Sequence, residues 1–114
     1  MSAELPEDLQ RLKTVLYLHR GRRQAISGRQ LAAILGIFER DNRSIRESIV
    51  RLIKGGCPIG SISQEGGGYF WITNQKELDS SVADLGARIH RLRERQTQLE
   101  IAFGKSQVMP VGFV

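Results

Sequence analysis

The chain has 114 residues, of which 40% are hydrophobic and 25% charged; this fits one small domain with an accessory element and excludes a large multidomain enzyme. Its longest apolar stretch, 31–38, is too short to cross a membrane, the acidic N-terminus lacks a secretory pattern, and a single cysteine excludes a disulfide scaffold. The formal net charge of +5 comes from residues 11–54, where eleven basic residues outnumber three acidic ones. We expect a cytoplasmic protein with a surface that faces a polyanion, most often nucleic acid; a merely soluble basic protein is the alternative.

The first predicted element is an amphipathic helix over residues 6–20. Pro6 suits the first helical position, and Gly21 is expected to end the helix. The apolar stripe recurs at intervals of three and four residues and consists of Leu5, Leu9, Leu12, Leu16 and His19. We expect this stripe to face the core, with His19 as a partly buried histidine that has no catalytic or metal-binding role.

Two further helices are predicted between residues 27 and 56. Ser27 and Gln30 form a capping-box pattern at the start of a short helix that ends at Gly36. Asp41 is expected to cap a third helix, which the glycine pair at 55–56 ends. Its buried stripe is predicted to contain Ile45, Ile49 and Leu52, and its opposite face to contain Asn42, Arg43, Arg46, Glu47, Val50 and Lys54. This second face is more basic than packing requires.

A two-stranded hairpin is predicted to follow the third helix. Residues 58–63 alternate isoleucine with small polar residues, and residues 69–73 are aromatic and β-branched. The glycine-rich segment 64–68 fits the turn between them; it is not a phosphate-binding loop, because no Lys-Ser or Lys-Thr pair follows it. Cys57 precedes the first strand and is expected to be a small apolar residue without a redox role.

The rest of the chain is predicted to form one long helix with a heptad repeat. Leucine occupies every d position and β-branched residues occupy two a positions, a combination that favours a two-stranded coiled coil. Alternatively, the helix folds back and buries the same stripe against its own domain. The stripe consists of Leu78, Leu85, Leu92 and Leu99 at d and of Val82, Ile89, Gln96 and Phe103 at a.

The order of these elements resembles that of winged helix-turn-helix DNA-binding domains. The chain is similar to the N-terminal domain of the biotin repressor and to small winged-helix proteins of bacteriophages and mobile elements. The residues that carry the resemblance are Ser27-Gly28-Arg29-Gln30-Leu31, Leu35-Gly36-Ile37, Ile45, Ile49, Leu52, Gly56 and Gly68-Tyr69-Phe70. The turn between the second and third helices is longer here than in the biotin repressor pattern and is filled by residues 38–42.

The resemblance implies a mainly α fold with a small β-hairpin (α+β). A winged helix-turn-helix domain over residues 1–74 would precede a coiled-coil-like helix over 75–104 and an irregular tail over 105–114. The implied function is sequence-specific binding of double-stranded DNA, by a transcriptional regulator or a DNA-binding accessory factor of a bacterial phage or mobile element, located at the nucleoid. The alternative is a protein-interaction adaptor, because a fold does not fix its function. No cofactor is expected, and the sequence has no nucleophile-base pair or metal cluster that would indicate an enzyme.

The resemblance also implies that the third helix lies in the major groove, with its N-terminal half nearest to the bases. The candidates for base contacts are then Asn42, Arg43, Arg46 and Glu47. The candidates for phosphate contacts are Ser27, Arg29, Arg40, Lys54 and the wing residues Ser63 and Gln64. Alternatively, each arginine is an exposed solubilising charge or part of a weak surface ion pair. A homodimer through the heptad stripe completes the expected assembly.

Overall fold

The computed structural model describes residues 6–37, 42–62 and 67–108. Its elements are α1 (Glu7–Tyr17), a 3₁₀ turn (Arg22–Gln24), α2 (Gly28–Leu35), α3 (Arg43–Lys54), β1 (Ile59–Ile62), β2 (Gly68–Trp71) and α4 (Gln75–Val108). Contacts divide the chain into two compact units, Met1–Ser81 and Val82–Val114, and each is described by itself. The predicted fold class is confirmed: three helices, an antiparallel hairpin and a long C-terminal helix form a winged helix-turn-helix arrangement.

The core of the first unit contains the predicted apolar stripes of α1 and α3. The largest side chain that is fully removed from water is Phe70 of β2, which is 1% exposed. Each such apolar side chain stabilises the fold by about 1.5–3 kcal/mol relative to an exposed position. The buried residues contributed by the three helices are Leu9, Leu12, Leu16, Leu31, Ala32, Ile45, Ile49 and Leu52.

Helix α1 is shorter than predicted, because the chain after it pairs with β2. Pro6 is the N-cap rather than the first helical residue, and the helix ends at Tyr17 instead of Arg20. The amide of Trp71 donates to the carbonyl of His19 (2.9 Å), and the amide of Gly21 donates to the carbonyl of Trp71 (2.9 Å). These bonds hold the backbone extended where the sequence pattern predicted helix; Leu5 lies outside the described residues.

Strand β2 is paired along both of its edges. On one side it forms the antiparallel hairpin with β1, in a register that places Ile59 opposite Trp71. On the other side Ile26 exchanges two backbone hydrogen bonds with Tyr69, of 2.8 and 2.9 Å. β1 begins at Ile59 instead of the predicted 58, β2 covers 68–71 instead of the predicted 69–73, and Ser63 lies outside the described residues. Ile26 forms an isolated β-bridge with Tyr69 that the sequence analysis did not predict.

The ends of α2 and α3 are set by local sequence. The capping box is confirmed, since Ser27 Oγ accepts from the amide of Gln30 (3.0 Å) and Gln30 Oε1 accepts from the amide of Ser27 (3.1 Å). Gly36 ends α2, as predicted, and adopts the left-handed conformation. The prediction that Asp41 caps α3 is wrong: the N-cap is Asn42, with a φ of 56°, and Asp41 lies outside the described residues.

Helix α4 begins at Gln75 and runs to Val108, four residues beyond the predicted end at 104. Asn74 caps it, because its Oδ1 accepts from the amide of Glu77 (2.9 Å). The predicted irregular tail is therefore helical up to Val108, and residues 109–114 lie outside the described residues. Within the part of the chain that the structure describes, no helix combines the length and apolarity that a membrane span needs.

Candidate nucleic-acid interface

Helix α3 separates an apolar face from a charged face. Ile45, Ile49 and Leu52 are at most 5% exposed and anchor the helix in the core. Because residues three and four apart share one side of a helix, the opposite side is left to polar groups. The exposed residues on that side are Arg43, Arg46, Glu47, Val50 and Lys54. The structure thus brings together most of the predicted recognition residues on one exposed helical surface, which we call the α3 face.

Arg43 and Glu47 form an ion pair on the α3 face. Arg43 Nε donates to Glu47 Oε1 at 3.0 Å, and the two side chains are 74% and 64% exposed. An exposed pair with this spacing contributes only about 0.3–0.5 kcal/mol, because water screens it. This ion pair alone therefore does little to fix the Arg43 guanidinium in place.

Two predicted site residues have structural partners at the start of α2. The Ser27 hydroxyl is engaged in the capping box. Asn42 is half-buried over Gly28, where an added Cβ would lie 3.3 Å from Asn42 Nδ2. Arg29, in contrast, is exposed in the first turn of α2. The contact between Asn42 and Gly28 brings the N-terminal ends of α2 and α3 together. Arg29 lies beside this contact, on the first turn of α2.

Three basic residues of the segment 11–54 contact other groups of the first unit. Arg11 Nη2 donates to the carbonyl of Ile34 near the end of α2 (3.4 Å). Arg20 lies 4.7 Å from the ring centre of Tyr17, a cation-π geometry. Arg22 donates from Nη1 to Ser80 Oγ (3.3 Å). Of these three arginines, Arg22 is half-buried, whereas Arg11 and Arg20 make their contacts while remaining exposed.

The remaining predicted residues are placed as follows. Lys54 is the last residue of α3 and is exposed, and Arg51, which the sequence analysis did not include, is exposed one turn before Gly55. Arg51 and Lys54 share the last turn of α3, and this spacing could have identified Arg51 as an exposed basic residue. Arg40, Ser63 and Gln64 lie outside the described residues.

Glu77 is a structurally important residue that the sequence analysis missed. Its Oε1 accepts from the amide (2.8 Å) and hydroxyl (2.9 Å) of Thr73, and its Oε2 accepts from the amide of Arg22 (2.8 Å). The backbone hydrogen bonds from Arg22 and Thr73 lower the pKa of the Glu77 carboxyl, because they stabilise its charged form. Its position three residues after the cap Asn74 was the available pattern. Glu77 fixes the first turn of α4 to the 3₁₀ turn of the same unit.

Among residues 6–37, 42–62 and 67–108, no group of three His, Cys, Asp or Glu side chains is arranged to hold a metal ion. Cys57 is a free cysteine, 6% exposed, within the core cluster. Its burial agrees with the apolar role that the sequence predicts for it.

The heptad stripe of α4 is accessible. None of the residues of α4 is buried. The seven apolar members, Leu78, Val82, Leu85, Ile89, Leu92, Leu99 and Phe103, are between 40% and 69% exposed.

Comparison with known proteins does not show a family for this chain. No family model and no curated protein matches the chain. Among solved structures, it is similar to the crystal structure of the S. aureus MepR–DNA complex, with 9% sequence identity, a TM-score of 0.47, and coverage of 92% of this chain and 82% of that chain. A function for this chain is therefore inferred from its own residues.

Proposed function

We propose that this chain binds double-stranded DNA in a sequence-specific manner by placing α3 in the major groove. The observation that carries the proposal is the division of α3, whose apolar stripe lies in the core while the α3 face, with Arg43, Arg46 and Lys54, is exposed. In winged helix-turn-helix domains the corresponding helix enters the groove with its N-terminal residues nearest to the bases. The major groove is about 12 Å wide and accepts one helix.

The proposed roles follow the position of each residue. Arg43 and Arg46 would donate to guanine, Glu47 would accept from cytosine, and Asn42 would pair with adenine. Of these, Asn42 is the most constrained, because it packs over Gly28. The residues that would hold phosphates are Ser27, Arg29, Arg40, Lys54, Ser63 and Gln64. Binding of this kind needs no cofactor and no catalysis, and it suits a transcriptional regulator or an accessory factor of a phage or mobile element in the bacterial cytoplasm.

The experiment starts from selection of duplexes from a random pool with the full chain. We expect an enriched sequence, and we expect the logarithm of the affinity to fall with the logarithm of the salt concentration by about 0.9 per neutralised phosphate. Absence of enrichment, together with an affinity that salt does not change, would refute DNA binding and favour the adaptor function.

Three arginine variants distinguish base contacts from phosphate contacts. Arg46→Ala should weaken binding to the selected duplex by about 5- to 150-fold, or ~1–3 kcal/mol, and change binding to a scrambled duplex little. Arg29→Ala should weaken both duplexes equally. Arg91→Ala, which removes the same charge from α4, is the matched control and should change neither. Equal losses from Arg46→Ala on both duplexes would assign Arg46 to the phosphate contacts.

We also propose that two copies pair through the heptad stripe of α4. The support is the accessible row of leucines, a pattern that two-stranded coiled coils bury. Such a dimer would prefer an inverted repeat with half-sites one helical turn apart or a multiple of it. In light scattering, Leu92→Asp should be monomeric, while Ala87→Asp, on the outer face of the same helix, should remain dimeric. A monomeric wild-type chain at micromolar concentration would contradict this proposal.

A further inference from the structure

The stripe of α4 carries a shallow depression at positions that form holes in a coiled coil. In a coiled coil, each core side chain inserts into a hole formed by four residues of the facing helix. Two such holes overlap here, one formed by Ile89, Leu92, Arg93 and Gln96 and the other by Leu92, Arg95, Gln96 and Leu99. These six residues line one shallow depression in the second unit. The depression is therefore a seam with Gln96 at its centre, shared by both holes.

We infer that the second copy lies parallel, with the two Gln96 side chains facing each other; the inference rests on the dimer proposed above. In a parallel pair each a position faces the same a position of the other copy, so that one Gln96 amide can donate to the other. In a fully overlapping antiparallel pair, Gln96 would face Leu85 of the second copy. Its buried donor and acceptor would then have no partner from that residue.

The charged residues beside the seam favour the same orientation. In a parallel pair, Arg95 faces Glu100 of the second copy, which is favourable, and Arg88 faces Arg93, which is not. In the fully overlapping antiparallel pair, Arg88 faces Arg95 and Asp79 faces Glu100, so that both contacts join like charges. The parallel pair has one attractive contact per copy to offset the repulsive one, and the antiparallel pair has none.

Another competitor is the antiparallel pair shifted by one heptad so that residues 75–99 of the two helices overlap. It would bring Asp79 opposite Arg93, which is favourable. However, it would place Leu99 opposite the polar Gln75 and leave Phe103 beyond the end of the partner helix. These two side chains are 69% and 65% exposed in the single chain, so the shifted pair sets one strongly exposed apolar side chain against a polar residue and leaves the other without a facing residue.

The orientation has a consequence for DNA binding. Both copies connect to their winged units through the N-terminal end of α4. A parallel pair holds these two ends side by side, whereas an antiparallel pair of 34-residue helices separates them by about 50 Å. Parallel pairing therefore suits two adjacent half-sites.

Disulfide trapping tests the orientation. Val82→Cys and Leu99→Cys are made separately in the full chain, oxidised with glutathione disulfide and run on a non-reducing gel. A parallel pair places each new cysteine next to the identical cysteine of the second copy. Each variant alone should therefore form a covalent dimer. In the fully overlapping antiparallel pair, identical positions lie about 25 Å apart, beyond the Cα separation of about 4.4–6.8 Å that a disulfide allows. A covalent dimer would then form only when the two variants are mixed.

Controls separate the possible failures. The wild-type chain, whose Cys57 is 6% exposed, and Ala87→Cys on the outer face should both stay uncrosslinked. A disulfide found only in the mixture would overturn the parallel orientation and leave the dimer intact. No disulfide, with a monomer in light scattering, would overturn the dimer itself, while DNA selection reports on α3 separately. Gln96→Leu adds a second measurement, because it removes the polar side chain that opposes antiparallel pairing. It should lower the dissociation constant of the dimer and allow a disulfide to form between the Val82→Cys and Leu99→Cys chains.

Discussion

Gly60 offers a test of how tightly the β1–β2 hairpin is packed against the rest of its unit. A Cβ at this position of β1 would lie 2.7 Å from Phe70 Cζ and 2.7 Å from Ser81 Oγ, against an ordinary contact distance of 3.4–4 Å. Phe70 is 1% exposed, so other atoms of the fold enclose its ring. Gly60 is not among the glycines with a positive φ, so the backbone accepts alanine and the effect of Gly60→Ala is purely steric. Overpacking of this kind costs about 1–3 kcal/mol.

Thermal unfolding of the full chain, followed by circular dichroism, measures this loss. For a domain of this size, the melting temperature of Gly60→Ala should fall by about 5–20 °C. The matched control is Gly86→Ala in α4, where an added Cβ meets nothing within 4 Å. Alanine is favoured over glycine inside a helix by about 0.8–1 kcal/mol, so this variant should melt at the same temperature or higher. A Gly60→Ala protein that melts within about 2 °C of the wild type would refute the packing argument, since such a shift is well under 1 kcal/mol.

Two further predictions concern residues near the start of α4. Glu77→Gln should lower the free energy of unfolding by about 1 kcal/mol at pH 7, because the carboxylate accepts three hydrogen bonds in a partly screened setting. Since folding lowers the pKa of Glu77, its contribution is complete above the ordinary value of 4.5 and is lost as the pH falls through the folded-state pKa; denaturant titrations of both proteins should converge in acid, and a gap independent of pH would contradict this. Ser81→Ala should raise the free energy of unfolding by about 1 kcal/mol, because Ser81 Oγ is buried without a hydrogen-bond partner among the described residues; a lower melting temperature would show that the hydroxyl is satisfied.

The parts of the fold that could be predicted from sequence depend on neighbours a few residues apart. The stripe of α3, the capping box of Ser27 and Gln30, and the stop at Gly36 are all of this kind. The parts that were missed depend on distant backbone groups. Ile26 pairs with Tyr69, and Glu77 accepts from the amide of Arg22, 55 positions away. Backbone donors have no sequence signature, so no periodicity could have indicated these contacts.

The sequence predicted which residues share the α3 face better than it predicted the contacts of individual polar residues. The α3 face follows from the spacing of its buried residues, and it was found. The sequence could not show that Asn42 packs over Gly28, or that Arg11 and Arg20 are bound to the carbonyl of Ile34 and the ring of Tyr17. A charged residue has the same identity whether it contacts DNA or its own chain, and only three-dimensional packing separates the two roles.

The pairing of β2 along both edges affects the tendency of this chain to aggregate while it folds. The segment Gly68–Trp71 contains three consecutive aromatic residues, a composition that promotes intermolecular sheet formation when a strand edge is open. In the native chain β1 lies along one edge, and the segments at His19 and Ile26 bond to the other. The contacts with His19 and Ile26 join residues more than forty positions apart. Until α1 and α2 have docked, a folding chain therefore has at most one edge of the aromatic strand paired. Variants that loosen the end of α1 should therefore aggregate during refolding more readily than their loss of stability alone would suggest.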